Sequence, residues 1–316
     1  MVTKIFFATD LHGSEKCFLK FVNAAKFYKV NTLIMGGDIT GKMMIPIIKE
    51  PGGRFHATFL GNRETARNEE ELREIQRMIR FAGYYPYLTD PDEMKQFEND
   101  QVKVQAVFKQ LMLDNVRRWI QLAEERLKDS GINVYITGGN DDIHEIEEII
   151  GGSKYVIDPE GRVVEIDGKY EMISSGWSNP TPWKTPRECS EEELWTRIED
   201  MASKVKDISN SIFNLHVPPI NSGIDTCPKL DQNLKPIIAG GEIQTTGGGS
   251  SSVRKAIETY QPLVGLHGHI HESRGFLKIG RTLCLNPGSE YSEGILRGVL
   301  VELDDGTVKN FLLTQG

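Results

Sequence analysis

Residues 265–273 read GLHGHIHES, so His267, His269 and His271 are spaced by two. On an extended chain that spacing places three imidazoles on one side, and His is the commonest metal ligand. The chain has only seven histidines, so a functional cluster needs partners elsewhere. The candidates are Asp10 and His12 in TDLHG, Asp38 in MGGD, Asn140 in TGGND and His216 in NLHVPP. Carboxylates, an amide oxygen and imidazoles without a thiolate form a donor set suited to Mn, Fe, Zn, Co or Ni. Such a set does not suit Cu(I) or an iron-sulfur cluster. Each fragment alone is weak evidence; the ordered set is strong.

The elements around these residues follow one pattern. KIFFA, TLIM, NVYI, SIFNL and PLVGL are short apolar runs, and each ends in glycine or polar residues that carry one or more candidates. Open α/β sheets place their sites at the carboxyl ends of strands in this way. KIFFA and TLIMGGD flank a segment from about Ser14 to Tyr28 with Phe18, Phe21, Val22 and Ala25 on one face, a βαβ opening with Ser14 as N-cap. Hairpins are expected for YVIDPEGRVVEID, turning at 159–161, and for RGVLVELDDGTVKNFLL, turning at 304–306. From about 64 to 130 the chain changes to charged helix. Val104, Phe108, Leu111, Met112, Val116, Trp119, Ile120, Ala123 and Leu127 step by three and four, and Leu72, Ile75, Ile79 and Ala82 repeat the spacing. This helical insertion either packs on the body or walls a site. The expected organisation is one domain over 1–316 interrupted at 64–130.

Composition excludes several classes. With 316 residues the chain can bury a large core, and 39% hydrophobic residues fit a globular protein. No apolar run approaches the ~18 residues of a membrane span, and MVTKIFFATD opens on a strand rather than a secretory signal. Cys17, Cys189, Cys227 and Cys284 form no CxxC pair, so neither a zinc ribbon nor a disulfide framework is expected. A cytoplasmic setting follows. A net charge of -8 argues against binding duplex nucleic acid. It leaves room for a small anionic substrate, because bound cations can outweigh the surface at one site.

These motifs resemble those of the calcineurin-like metallophosphoesterases, whose set is D-x-H, G-D, G-N-H-D/E, a lone H and G-H-x-H. Four of the five match as they stand, in both halves of the chain outside 64–130. The resemblance implies a four-layer α-β-β-α sandwich of two mixed sheets flanked by helices, with two metals at the strand ends. It also implies that Asp10, His12, Asp38 and the second His of G-H-x-H hold one ion. Asp38, Asn140, His216 and the first His hold the other. Because Gly precedes the first ligand, Gly268 selects His269 and His271, and His267 is expected behind the ligands; His267 with His269 is the alternative pair. The implied reaction is phosphate-ester hydrolysis by attack of a hydroxide held between two divalent ions, with manganese the expected metal. Two ions less two carboxylates and one hydroxide leave roughly +1 facing the substrate.

GNRE at 61–64 also resembles the third motif, but it follows RFHATFLG, which reads as a hairpin with MIPIIKE, whereas Asn140 follows the buried run INVYIT. The departure lies at Asp141, where the family has His. That His works at the leaving-group side, and a carboxylate is a poor proton donor at neutral pH. Protonation is then expected to be weak unless His144 or His267 reaches the site. Asp38, Asn140 and Asp141 are the expected catalytic residues. The alternative is a catalytically weak binding or scaffold protein, for which eroded ligands are expected; all seven ligand positions are filled. Two loops are candidates for substrate contact: GGGSSSVRKAIE, with an anion at a helix N-terminus beside Arg254, and GWSNPTPWKTPRE, with Trp177 and Trp183. Neither reveals the ester, and the oligomeric state is open.

Overall fold

Alternation along the first strand, Thr3–Ala8, sends Ile5 and Phe7 to one side and Phe6 and Ala8 to the other. Both faces are apolar because both are covered. The structure is a computed structural model that describes residues 2–316. Its first six-stranded sheet runs, from edge to edge, through Thr307–Gln315, Arg297–Asp304, Thr3–Ala8, Thr32–Met35, Asn133–Ile136 and Val156–Ile157. The last four are mutually parallel. The second sheet runs through Gly275–Ile279, Thr282–Asn286, Val264–Leu266, Ser211–Leu215, Tyr170–Ser175 and Val163–Ile166, again with four parallel strands at its centre.

Three apolar clusters define the layers. Ile5, Phe7, Ile34 and Tyr135 of the first sheet meet Met172, Ile212, Leu266, Leu283 and Leu285 of the second in the central core. The opposite face of the first sheet, with Phe6, Leu33, Met35 and Val134, packs on the helices Glu15–Tyr28, Gln101–Leu127 and Ile146–Gly151. The opposite face of the second, with Ile173, Phe213 and Cys284, packs on Glu191–Ala202 and Ser251–Tyr260. The result is the four-layer α-β-β-α sandwich with mixed sheets. Ser14 caps its helix by accepting from the Cys17 N–H at 3.4 Å.

Two expectations need correction. YVIDPEGRVVEID is not a hairpin: Val156–Ile157 pairs in parallel with Asn133–Ile136, while Val163–Ile166 pairs antiparallel with Tyr170–Ser175 in the other sheet. The PEG turn therefore carries the chain between sheets. The turn of the actual hairpin contains Asp167 and Gly168, both at positive φ, and Asp-Gly is the stronger local hairpin signal. The 64–130 segment is also not wholly helical. Tyr85–Thr89 is a strand that joins Met44–Lys49, Phe55–Phe59 and Asn62–Ala66 in a separate four-stranded sheet covered by the helix Glu69–Phe81. The expected pairing of MIPIIKE with RFHATFLG is present, as is the C-terminal hairpin, with Asp304 opposite Thr307.

The long helix Gln101–Leu127 docks through its C-terminal half, where Trp119 stacks on Phe18 with ring centroids 4.2 Å apart. Trp119 is 3% exposed, so Trp119→Ala is expected to cost about 3 to 5 kcal/mol in urea denaturation. Val102, 79% exposed on the same helix, should tolerate Ala within about 0.5 kcal/mol. Equally small losses at both sites would contradict docking of this helix on the core.

Candidate metal centre

Five of the parallel strands end on the same rim. Ala8 leads to Asp10 and His12, Met35 to Asp38, Ile136 to Asn140, Leu215 to His216, and Leu266 to His269 and His271. Backbone hydrogen bonds lock these loops together: Asp10 N–H to the Gly37 carbonyl at 2.9 Å, His12 N–H to the Asp38 carbonyl at 2.9 Å, and Gly268 N–H to the His216 carbonyl at 2.8 Å.

The bends are strained. Asp10 (φ 56°), His12 (φ 40°), Asp38 (φ 51°) and His269 (φ 67°) all occupy the left-handed region. Such positions cost about 1 to 3 kcal/mol each, persist only when surroundings enforce them, and cluster at functional sites. Glycines allow the close approach. A Cβ on Gly139 would meet the Asp38 carboxylate and backbone, and one on Gly268 would meet Asp10 and Thr9. The motif glycines are thus required by the side chains that they face.

The donors form two groups, and a third set, His12, Asp38 and Asp141, overlaps both. Asp10, His12 and His271 lie together, and so do Asp38, His216 and His269, with donor atoms in each group within 4.8 Å of one another. Asp38 Oδ2 lies 3.4 Å from His216 Nε2 and 3.7 Å from His12 Nε2, so its carboxylate stands between the groups. Asn140 Oδ1 lies 3.1 Å from His216 Nε2 and 2.7 Å from His269 Nδ1. Its amide donates to Thr185 Oγ1 at 2.9 Å, which fixes the oxygen inward. His216 Nδ1–H donates to the Gly36 carbonyl at 2.9 Å and leaves Nε2 facing the cluster.

Electrostatics fit cations here. Burial presses His12 down to about 3 and His269 to about 4, keeping both neutral. Burial also opposes charge on His216, but the Asp38 carboxylate overcomes it and holds that imidazole up to about 10. Asp10 is held down to about 2: burial opposes this, and the hydrogen bond from His271 with the charge of His216 prevails. His271 is raised, burial again opposing, by its hydrogen bond to Asp10. His216 therefore holds a proton on a donor nitrogen, where a cation would compete for the same lone pair. His12 Nε2 and His271 Nε2 face each other at 3.1 Å. The donor set and this buried geometry fit two divalent ions.

His267 is not among these donors. It is fully buried, and its Nδ1–H donates to the Leu215 carbonyl at 2.8 Å. His144 is exposed and lies beside Trp177. Asp141 borders the cluster: its N–H donates to Asp38 Oδ1 at 2.9 Å, and its carboxylate pairs with Lys42 Nζ at 2.6 Å.

Asn62 lies in the separate sheet, and His56 pairs with Glu50 at 2.9 Å. Arg254 is committed to Glu258 at 2.8 Å and to the carbonyls of Ile220 and Asn221. The helix N-terminus beside it already holds an anion, because Glu191 accepts from Ser250 Oγ and from the N–H groups of Ser251 and Ser252. Trp177 packs on the core of the second sheet with the Arg197 guanidinium 3.9 Å from its ring centre. Trp183 is 62% exposed, on a loop tied to the site through Thr185.

Sequence reasoning missed Asp142, Arg187, Lys42 and Tyr291. Asp142, fully buried, accepts from Ile39 N–H, Thr40 N–H, Thr40 Oγ1 and Gly139 N–H, tying the Asp38 loop to the Asn140 loop. It fills the acidic place of the third motif, which was the available signal. Arg187 is buried beneath the Asn140 loop, donating to the carbonyls of Asp142 and Ile143 and pairing with Glu147. The Tyr291 ring lies 4.8 Å from that of His12.

An α/β sandwich with a buried carboxylate and imidazole cluster at its strand ends defines the class of fold and site. No protein-family model matches the chain. It is 31% identical over 177 residues to the uncharacterized protein MJ1162 of Methanocaldococcus jannaschii, an alignment of 55% of this chain and 72% of that protein. The chain belongs to the family of that archaeal protein. Among solved structures, one crystal structure matches with a TM-score of 0.60 at 14% identity, covering 100% of this chain and 99% of the other. The protein TT1561 of Thermus thermophilus matches at 0.53 and 12%, covering 100% and 99%. At that identity the likeness is one of fold.

Two tests follow from the geometry. His269→Ala and His271→Ala should each lower divalent-metal occupancy measured by elemental analysis, whereas His267→Ala should leave it nearly intact; equal loss at His267 would contradict the register. Since His216 is held up to about 10, it is protonated at neutral pH, and ion uptake must displace its proton. Calorimetry in buffers of different ionisation enthalpy should register proton release, with affinity falling as pH falls; uptake without release would contradict the assignment.

Proposed function

We propose that this protein is a dinuclear-metal-dependent hydrolase of phosphate esters, of the calcineurin-like metallophosphoesterase kind. The observation that carries the reading is the convergence of seven oxygen and nitrogen donors from five strand ends into two adjacent groups, with the Asp38 carboxylate of one group 3.7 Å from His12 of the other. In this reading Asp10, His12, Asp38 and His271 hold one ion, and Asp38, Asn140, His216 and His269 hold the other. Manganese is the proposed metal. Two such ions would supply Lewis-acid activation of water and neutralisation of phosphoryl charge.

The chain's own residues do the rest. Asp38 sets the spacing of the two groups, Asn140 and His216 are oriented by Thr185 and Gly36, and the strained loops preorganise the donors. Trp183, on the loop tied to Asn140, is proposed as part of the substrate wall, a small phosphate monoester or diester being the substrate class. The proposed setting is the cytoplasm: the four cysteines are free, which suits a reducing compartment. Among the described residues no helix is long and apolar enough to cross a membrane. A scaffold role would leave the strain at Asp10, His12, Asp38 and His269 without purpose.

Manganese-loaded protein should hydrolyse nitrophenyl phosphate or its bis-ester, and chelation should abolish turnover, with activity returning on metal addition. Asp38→Asn should lower kcat/KM by roughly 10²-fold or more, as it removes the charge common to both groups. Full activity in metal-stripped protein would contradict the proposal.

A further inference from the structure

Lys42 follows the Asp38 loop and enters the cluster from the side of the separate sheet. Its Nζ pairs with Asp141 Oδ2 at 2.6 Å, and its side chain is 50% exposed while that of Asp141 is 21% exposed. The donors beneath are buried, with Asp38 and His12 side chains at 4% and 0%. The ion pair therefore sits at the mouth of the site, between the donors and solvent.

Both partners are fixed. The Asp141 N–H donates to Asp38 Oδ1 at 2.9 Å, so that backbone is bound to the carboxylate common to the two groups. On the other side Thr40 donates from its N–H and its hydroxyl to Asp142 at 2.8 and 2.5 Å. The Gly41 N–H donates to the Tyr85 hydroxyl at 2.6 Å, and Gly83 and Tyr85 crowd the position of a Gly41 Cβ. The separate sheet thus clamps the residue before Lys42. An ammonium has three N–H donors and no acceptor. Asp141 is the ion-pair partner of Lys42 among the described residues, and one carboxylate does not use all three donors.

We propose that Lys42 is a phosphate-binding residue of this site, donating to the phosphoryl group of the substrate, and that Asp141 is the positioning residue that holds it there. The inference rests on the hydrolase reading and deepens it. In this site a lysine held by a carboxylate supplies the cationic donor on the side where the resembling family carries an imidazole. It also gives the separate sheet a role, since Tyr85 fixes the turn that aims the side chain.

The test uses manganese-loaded full-length protein, with ions counted by elemental analysis and the affinity for inorganic phosphate measured by calorimetry. Lys42→Met should keep the ion content and weaken phosphate binding about ten- to a hundredfold, because it removes a charge-assisted donor and leaves Asp141 as an unpaired anion. Lys42→Arg should retain most of the affinity. Adding Asp141→Ala to Lys42→Met should recover part of the loss and not all of it. Unchanged phosphate affinity in Lys42→Met overturns the proposal. Full recovery in the double variant also overturns it, since Lys42 would then only neutralise Asp141. Loss of ions in Lys42→Met would do so as well, by placing the effect on the metal groups. Wild-type protein that takes up neither manganese nor iron, zinc, cobalt or nickel would overturn the hydrolase reading itself, whereas the other outcomes leave that reading intact.

Discussion

Asp10 and Asp38 are 1% and 3% exposed, and the imidazoles of His12 and His216 beside them are 0% and 1% exposed. Two carboxylates buried this close repel, and each loses hydration that costs several kcal/mol unless charge of the opposite sign shares the space. Within the protein the compensation comes from the proton that Asp38 holds on His216, which a pair of divalent ions can replace with greater charge. The fold is organised around keeping that cluster assembled. Parallel strands deliver five loops to one rim, backbone bonds between the loops hold the rim closed, and Asp142 with Arg187 supports it from below.

The sandwich makes this rigid because both sheets are covered on both faces. Ile5 and Phe7 lock the first sheet to the second, while Phe6 and Phe18 lock it to the helices. A loop between such strands has little freedom to relax, so the left-handed backbone at Asp10, His12, Asp38 and His269 can persist. The separate sheet is coupled to the same rim. Ser14 Oγ donates to the Phe81 carbonyl at 2.8 Å, and Gly41 meets Tyr85.

Much of the core and the grouping of donors could be read from the sequence, for a physical reason. Buried strands are short apolar runs, and five of them here end beside a donor of the cluster. The glycine before His269 was informative because only glycine fits against Asp10. What could not be read depends on contacts between distant segments. Val156–Ile157 and Val163–Ile166 look like partners until the sheet edge beside Asn133–Ile136 is known to be free for the first. The helix beginning at Ser251 advertises an anion site, but Glu191 from another helix fills it. Lys42 sits in a plain GK pair; only the clamp from Tyr85 and the carboxylate of Asp141 give it significance.

The central claim is that the two groups hold two ions that share Asp38. Anomalous diffraction from crystals grown with manganese, collected on either side of the metal edge, tests it directly. Two peaks about 3.5 to 4 Å apart are expected, one within reach of Asp10, His12 and His271, the other of Asn140, His216 and His269, with the Asp38 carboxylate between them. A single peak, or peaks away from these side chains, would contradict the account.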